Sequence, residues 1–380
     1  MATDGAWWCL AAAVVGSAAA CHLDHRSLGE VGTEPQDRAP ADRATETTWR
    51  PTNLADVLFL VDNSASMGQE QAALARALPA FLETFFEEAA ARGIAPSLNV
   101  GVISTDLGTM GTVLAGCPDP ADGDDGCLLH TPRGAEPECA GTYPTFLSRD
   151  AGDDDPLPQF AADLACIATL GTNGCGFEQP FGALRRALVD HTAPGRCNEG
   201  FVRGSYTVAD GGTAAVTPTV LAVIVLTDED DCTVRPTHPE MFDPAASELG
   251  HLNVRCFLHP EFVETIEETE AALRGLAGEG HYLVLAALVG VPPEEPACNG
   301  RGDTLGDCLA TPAMTERIDP TDPSRLVPSC DTAAGLAFPP RRIVELVRRF
   351  GADGYVASLC TTAYEEPLRA VARRILDHLE

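Results

Sequence analysis

Long apolar runs that end in polar residues constrain the fold of this chain more than any other feature. They lie at residues 55–62, 98–105, 220–227 and 282–289. Runs without apolar–polar alternation are typical of strands buried on both faces, as in a parallel sheet. Helical patterns separate the runs, the clearest at residues 69–92, where Pro79 is expected to kink or split the helix. The alternation predicts an α/β fold with a doubly wound, mostly parallel sheet.

The rest of the chain completes this pattern and adds two interruptions. Further helices are expected near residues 181–188, 264–277, 341–350 and 366–379, with a short strand at 355–359. Two stretches, at about 108–165 and 291–340, are rich in Gly, Pro and Cys and lack periodicity. Together these features predict one domain at residues 53–380 with two Cys-rich loop insertions.

The N-terminus predicts export. Residues 5–20 are apolar, which is shorter than the roughly 20 residues that span a bilayer and fits a signal peptide at 1–20. Three alanines followed by Cys21 resemble a bacterial lipoprotein signal, which implies that Cys21 becomes the lipidated N-terminus. Ordinary secretion with cleavage near Ala20 is the alternative. Residues 21–52 are polar and contain proline, so we expect a flexible tether.

The cysteines also favour an exported protein. Of the 14 cysteines, Cys9 lies in the signal and Cys21 is the expected lipid site, which leaves twelve. An even number fits a disulfide framework in an oxidising compartment, and the absence of a CxxC pair argues against zinc. Local loops closed by Cys117–Cys127 and Cys298–Cys308 are expected, and spacing leaves the other pairings open.

The charge balance excludes several function classes. The formal net charge is −31, so nucleic acid is a poor partner. The chain contains no lysine, which excludes the P-loop nucleotide site, Schiff-base chemistry and pyridoxal phosphate. We expect many of the acidic side chains, including Asp230 and Asp231, to lie in solvated loops.

Oxygen-bearing side chains follow the first predicted strand in the pattern D-x-S-x-S. Asp62, Ser64 and Ser66 would stand outside the carboxyl end of a parallel strand, where ligands bind in open α/β sheets. One carboxylate and two hydroxyls suit Mg²⁺ or Mn²⁺, with Ca²⁺ as a further candidate. Asp62 and Ser64 could instead cap the helix that follows.

Two later segments extend this motif in order. Gly171-Thr172-Asn173-Gly174 precedes a predicted helix, and Leu226-Thr227-Asp228 ends a predicted strand. With D-x-S-x-S they resemble the metal-ion-dependent adhesion site (MIDAS) of the von Willebrand factor A (VWA) family. The resemblance implies a divalent metal held by Asp62, Ser64, Ser66, Thr172 and Asp228, the hydroxyls directly or through water and the carboxylates largely through water. Either Glu178 or Glu229 could replace or supplement one of these ligands.

The resemblance implies binding rather than catalysis, because a partner's Glu or Asp often completes the metal in this family. We therefore expect an exported, lipid-anchored VWA protein of a bacterial envelope, on the outer membrane or cell surface, or else periplasmic or secreted. It would bind an extracytoplasmic protein or peptide and contact the membrane through its anchor. The alternative is an envelope scaffold in which the metal only stabilises the fold. A metal-dependent hydrolase is not favoured, because no general base or G-x-S-x-G motif is evident.

Overall fold

A computed structural model describes residues 47–49, 52–134, 139–208, 214–278 and 280–380. The predicted signal peptide, Cys21 and most of the predicted tether lie outside the described residues. The described strands are, in chain order, β1 (Thr47–Trp49), β2 (Leu54–Val61), β3 (Ser97–Ser104), β4 (Leu147–Asp150), β5 (Ser205–Val208), β6 (Ala214–Thr217), β7 (Thr219–Leu226), β8 (His281–Val289), β9 (Gly300–Arg301), β10 (Ile318–Asp319), β11 (Asp322–Leu326), β12 (Cys330–Thr332), β13 (Gly335–Ala337) and β14 (Gly354–Ser358).

The described α-helices connect these strands. They are α1 (Gly68–Ala91), α2 (Leu157–Ala168), α3 (Pro180–Arg185), α4 (Arg255–Leu258), α5 (Ile266–Gly278), α6 (Arg341–Arg349) and α7 (Glu365–Leu376). None of the described helices is both long and apolar enough to cross a bilayer.

The central sheet has seven strands in the order β4-β3-β2-β7-β8-β14-β9. The five inner strands, from β3 to β14, are parallel, and β4 and β9 pair antiparallel at the two edges. The prediction of a mixed α/β fold around a mostly parallel sheet is therefore confirmed. Outside this sheet, β1 from the end of the predicted tether pairs in parallel with β6.

The apolar runs became inner strands because helices cover both faces of the sheet. Every residue of β7 is buried, as are all but the first of β2 and of β3. Alternate side chains of β2 enter different cores: Phe59 packs beneath α1 and α7, and Leu58 and Leu60 pack on the opposite face with α3, α5 and α6. A strand buried in this way has no polar face, which is why its sequence does not alternate.

Pro79 does not split the long helix, contrary to one expectation. Helix α1 runs without interruption from Gly68 to Ala91 with Pro79 inside it. Proline removes the hydrogen bond to the carbonyl of Ala75. Pro79 lies on the exposed face, where water can bond that carbonyl, and the buried face holds the helix against the sheet.

All twelve cysteines beyond Cys21 form disulfides, as the even count predicted. The pairs are Cys117–Cys175, Cys127–Cys197, Cys139–Cys166, Cys232–Cys256, Cys298–Cys308 and Cys330–Cys360. Cys298–Cys308 is confirmed and Cys117–Cys127 is wrong. The first insertion does not close on itself but is fastened to the segment before α3 and to the one after it. Six disulfides are typical of a protein that folds outside the cytosol.

Candidate metal centre

The candidate site lies where the strand order of the sheet reverses. The chain leaves β2 through α1 to reach β3 on one side, whereas β7 pairs with β2 on the other side. Ligands of open α/β sheets bind at the carboxyl ends of strands at such a switch point. Asp62 directly follows β2, and its N–H donates to the Leu226 carbonyl at the end of β7 at 2.9 Å.

Asp62 links the ends of the two strands that meet at the site. It is fully buried, and its Oδ1 accepts a hydrogen bond from the Ser64 N–H at 2.7 Å, while Oδ2 accepts one from Thr227 Oγ1 at 2.8 Å. These bonds tie the ends of β2 and β7 together. The capping alternative does not hold, because α1 begins at Gly68 after Met67, which makes no side-chain capping bond.

The predicted hydroxyl ligands face one cleft. Ser64 Oγ and Ser66 Oγ are 3.2 Å apart, and both residues line a cleft of about 720 Å³ together with Thr172, Glu178 and Glu229. A Cβ placed on Gly68 would lie 3.4 Å from Thr172 Cγ2, so the threonine stands beside the start of α1. Thr172 is exposed and Ser64 is buried. The structure thus brings Thr172 to the same cleft as both serines, although about a hundred residues separate them.

Asp228 lies beside Ser66, whose side chain hydrogen-bonds to it. It is 3% exposed and lines a second cavity of about 340 Å³, which Ser66, Glu70 and Glu229 also line. Its Oδ1 has no hydrogen-bond partner among the described residues. An unpaired buried carboxylate oxygen is costly, so this atom is a natural ligand for a cation or for a water bound to one.

Burial and mutual repulsion disfavour the charged form of the acidic groups at the site. Burial, followed by the neighbouring carboxylates, raises the pKa of Asp228 to about 8 and that of Glu229 to about 7. The same causes raise the pKa of Glu178 well above its ordinary value, and burial raises the pKa of Asp62. None of the ion pairs in the described ranges supplies a positive partner to these groups. A divalent cation is the charge that this set of oxygen atoms fits.

Glu70 is a residue of the site that the sequence analysis did not name. It lies in the first turn of α1 and is 4% exposed, and within the part of the chain that the structure describes its Oε2 has no hydrogen-bond partner. A sequence signal existed, since Glu70 is the acidic residue in the first turn of the helix that directly follows D-x-S-x-S.

Asp230 and Asp231 do not lie in a solvated loop, so that expectation is wrong. Asp230 accepts hydrogen bonds from the N–H groups of Arg342 and Ile343 at 2.9 and 3.1 Å, at the start of α6. Asp231 is 1% exposed and accepts from the Phe181 N–H at 2.9 Å, at the start of α3. Helix N-termini attract carboxylates, and these two aspartates join the loop after β7 to two helices.

A cysteine–histidine cluster elsewhere is closed to metal. Cys127, His191 and Cys197 have ligand atoms within 4.8 Å of one another. The two cysteines form a disulfide with each other. Their sulfur atoms are therefore not thiolates, which are the form that binds zinc.

Comparison with known proteins gives distant similarity to solved structures. No protein-family model matches the chain. No curated protein sequence matches it either. Two crystal structures of the pilus adhesin SpaC from Lactobacillus rhamnosus GG, one of them in the open conformation, are similar at 12% and 11% sequence identity with TM-scores of 0.36 and 0.37. Each covers 87% of this chain, whereas this chain spans only 31% and 32% of theirs. The site assignments above rest on the chain's own geometry.

Proposed function

We propose that this chain is an exported, lipid-anchored binding protein with a VWA-type domain. A divalent cation, Mg²⁺ or alternatively Mn²⁺ or Ca²⁺, would capture a carboxylate of an extracytoplasmic protein or peptide. The observation that carries the proposal is the convergence of Asp62, Ser64, Ser66 and Asp228 at the switch point, where no ion pair among the described residues balances their charge. Thr172 lines the same cleft as the serines.

Each residue has a distinct role in this proposal. Ser64, Ser66 and Thr172 would offer hydroxyl oxygens, and Asp62 and Asp228 would balance the charge of the ion largely through bridging waters. Neutral hydroxyls leave the ion electrophilic toward one further oxygen ligand, which a Glu or Asp of the partner supplies. The chemistry that the ion contributes is binding, so we do not propose an enzyme.

The charge of the chain restricts the partner. A chain with a formal net charge of −31 repels an acidic protein at long range, although the metal attracts a carboxylate at contact. A partner with basic residues around its acidic ligand residue overcomes this repulsion. Lipidated Cys21 would hold the protein at the membrane, and the tether would present the metal end of the domain outward.

Thermal unfolding of the oxidised protein, stripped of metal and then titrated with Mg²⁺, Mn²⁺ and Ca²⁺, tests the proposed site. A metal that binds only the native state raises stability by about 2.7 kcal/mol at a hundredfold excess over its dissociation constant. We expect this rise in the wild type and in a control, Asp331→Asn, at an exposed position. Asp62→Ala and Asp228→Ala should show none. No shift in the wild type for any of the three ions would refute the site.

A scaffold function is the second candidate, and the burial of the carboxylates favours it. An ion that neutralises Asp62, Glu178 and Asp228 in the interior stabilises the fold whether or not a partner binds. Thr172→Val separates the two functions, because Thr172 is exposed and faces the cleft. A binding protein should lose Mg²⁺-dependent capture of envelope proteins, measured against EDTA, while most of its metal stabilisation remains. A scaffold should show no Mg²⁺-dependent capture in the wild type.

A further inference from the structure

One disulfide differs from the other five in its exposure and in its neighbours. Among the twelve described cysteines that form disulfides, only Cys197, the partner of Cys127, is exposed. A ring nitrogen of His191 lies within 4.8 Å of both sulfur atoms. Exposed disulfides are the ones that thiols reduce most readily, because a thiolate must reach one of the two sulfurs. Reduction of this pair leaves two cysteine thiols beside a histidine.

The imidazole of His191 is oriented as a metal ligand. Its Nε2 lies 3.1 Å from Asp125 Oδ2, and Asp125 is held in turn by an ion pair with Arg186. The carboxylate accepts the Nε2 hydrogen, so the free lone pair of the neutral ring is on Nδ1. Nδ1 is buried and has no hydrogen-bond partner among the described residues. A histidine that donates one ring N–H to a carboxylate while its other nitrogen binds the ion is the usual arrangement around protein-bound zinc.

Asn198 holds the cluster together independently of the S–S bond. It directly follows the exposed cysteine and is itself 0% exposed. Its Nδ2 donates to the Gly126 carbonyl at 2.9 Å and its Oδ1 accepts from the Leu128 N–H at 2.8 Å. These are the residues on either side of Cys127. The backbone N–H of Asn198 donates to the His191 carbonyl at 3.0 Å. The three candidate ligands therefore stay adjacent when the disulfide opens.

The reduced cluster suits a softer metal than the hard cations of the candidate metal centre. Two thiolates and an imidazole are ligands that zinc prefers. With Zn–S distances of about 2.3 Å and Zn–N distances of about 2.0 Å, the ligand atoms of a tetrahedral site lie about 3.5–4 Å apart. The ring nitrogen is already within 4.8 Å of both sulfurs, so a small shift brings the three atoms to these distances. The exposure of Cys197 leaves the fourth position open to water.

We propose that reduction of Cys127–Cys197 opens a zinc site, with both cysteines and His191 as ligands and Asp125 as the residue that positions the imidazole. None of these residues lines the cleft or the second cavity of the candidate metal centre. The proposal is therefore independent of the proposed function. Zinc would replace the covalent link between the first insertion and the segment after α3.

The reductant is a thiol, and the reaction balances over two steps. A thiolate attacks the exposed Cys197 Sγ, forms a mixed disulfide and releases Cys127 as a thiolate. A second thiol attacks the mixed disulfide, so that two thiols are oxidised to one disulfide and the protein gains two cysteine thiols. These thiols lose two protons when they bind Zn²⁺ as thiolates.

Limited reduction and metal titration test the two parts of the proposal. The full-length protein is treated with a small dithiol, and its free thiols are located by alkylation and mass spectrometry. We expect Cys127 and Cys197 to be alkylated before the other ten disulfide cysteines. The dithiol is then removed without air and Co²⁺ is added as a spectroscopic substitute for zinc. We expect thiolate-to-cobalt charge-transfer absorption at one ion per chain, which Zn²⁺ abolishes by displacing the cobalt. The oxidised protein should not show it, because oxygen ligands do not produce this absorption.

Variants identify the ligands. Asp125→Asn should weaken cobalt binding by about ten- to hundredfold and His191→Gln by more, with the thiolate absorption retained at saturating cobalt. His251→Gln, a matched control at an exposed position, should bind like the wild type. Earlier reduction of another disulfide, or no thiolate absorption in the reduced wild type, would overturn the proposal and leave the proposed function standing. Unchanged affinity in His191→Gln would overturn the ligand set.

Discussion

Replacing Asp228 with asparagine should stabilise the metal-free protein, although it removes a proposed metal ligand. The pKa of Asp228 is raised from 3.8 to about 8 by burial and by the charges of Asp62 and Glu229. A group whose pKa is raised by folding stabilises the native state fully only below its ordinary pKa. That stability is lost as the pH rises toward the folded value. At neutral pH the raised pKa therefore lowers the free energy of unfolding. An asparagine amide does not titrate and so does not have this effect.

The size of this cost follows from the two pKa values. Between about pH 4 and pH 8 the folded carboxyl holds a proton that the unfolded one has released, so stability falls by about 1.4 kcal/mol per pH unit. The interval from 3.8 to pH 7 corresponds to about 4 kcal/mol. We expect Asp228→Asn to raise the free energy of unfolding of the metal-free protein by about 2–4 kcal/mol at pH 7 and to leave it nearly unchanged at pH 4.

Urea unfolding with intact disulfides and EDTA at both pH values measures this gain. Asp331→Asn, at an exposed position on β12, controls for the loss of one negative charge. Only the wild type gains from Mg²⁺, by about 4.1 kcal/mol at a thousandfold excess over the dissociation constant, so at that excess the order of stability at pH 7 should reverse. A variant that is less stable than the wild type in EDTA, equally at pH 4 and pH 7, would refute the reasoning. The carboxylate would then be stabilised by groups other than a metal.

Three further predictions concern the stability of the fold. Arg255 is 1% exposed and donates to five main-chain carbonyls. Arg255→Met should therefore lower the free energy of unfolding in urea by at least about 3 kcal/mol and speed hydrogen exchange in residues 240–262. Arg203→Met leaves Asp56 buried without its partner and should lower the free energy of unfolding by about 3–5 kcal/mol at pH 7.5. Burial already raises the pKa of Asp56 to about 6, so this cost should shrink at pH 5, where the carboxyl is neutral. Pro79→Ala returns a hydrogen bond to Ala75 on an exposed face and should raise stability by about 1 kcal/mol or more, measured as a higher urea midpoint.

The sheet could be predicted because its strands are buried on both faces. A residue such as Phe59 or Val223 packs on helices, so the runs are continuously apolar and end where the strands end. The disulfides could not be predicted in the same way. Cys117 is 10 residues from Cys127 but pairs with Cys175, and this choice depends on how the first insertion folds across the sheet edge.

The site was predictable as far as parallel-sheet geometry reaches. Adjacent parallel strands end at one edge, so the residues after β2 and β7 had to meet, and Asp62 and Asp228 lie close enough for their charges to interact. Glu70 required knowledge of the hairpin of β12 and β13 that covers it, and Gly335 is more than 260 residues away in sequence. Asp230 and Asp231 show the same limit, because their acidity indicated solvent whereas helix N-termini in the folded chain bind them.

In the proposed function, the disulfides near the site would allow long loops to form a precise binding surface. Cys117–Cys175 fastens the first insertion close to Thr172, Cys232–Cys256 pins the segment after Asp231, and Cys330–Cys360 holds the hairpin against Glu70. Free loops of this length would lose conformational entropy when a partner binds, and that loss weakens affinity. Loops already fixed by disulfides avoid most of it. The cross-links therefore favour a function in which the loops, and not only the ion, contact the partner. Reduction of the disulfides should then weaken partner capture even under conditions where the sheet remains folded.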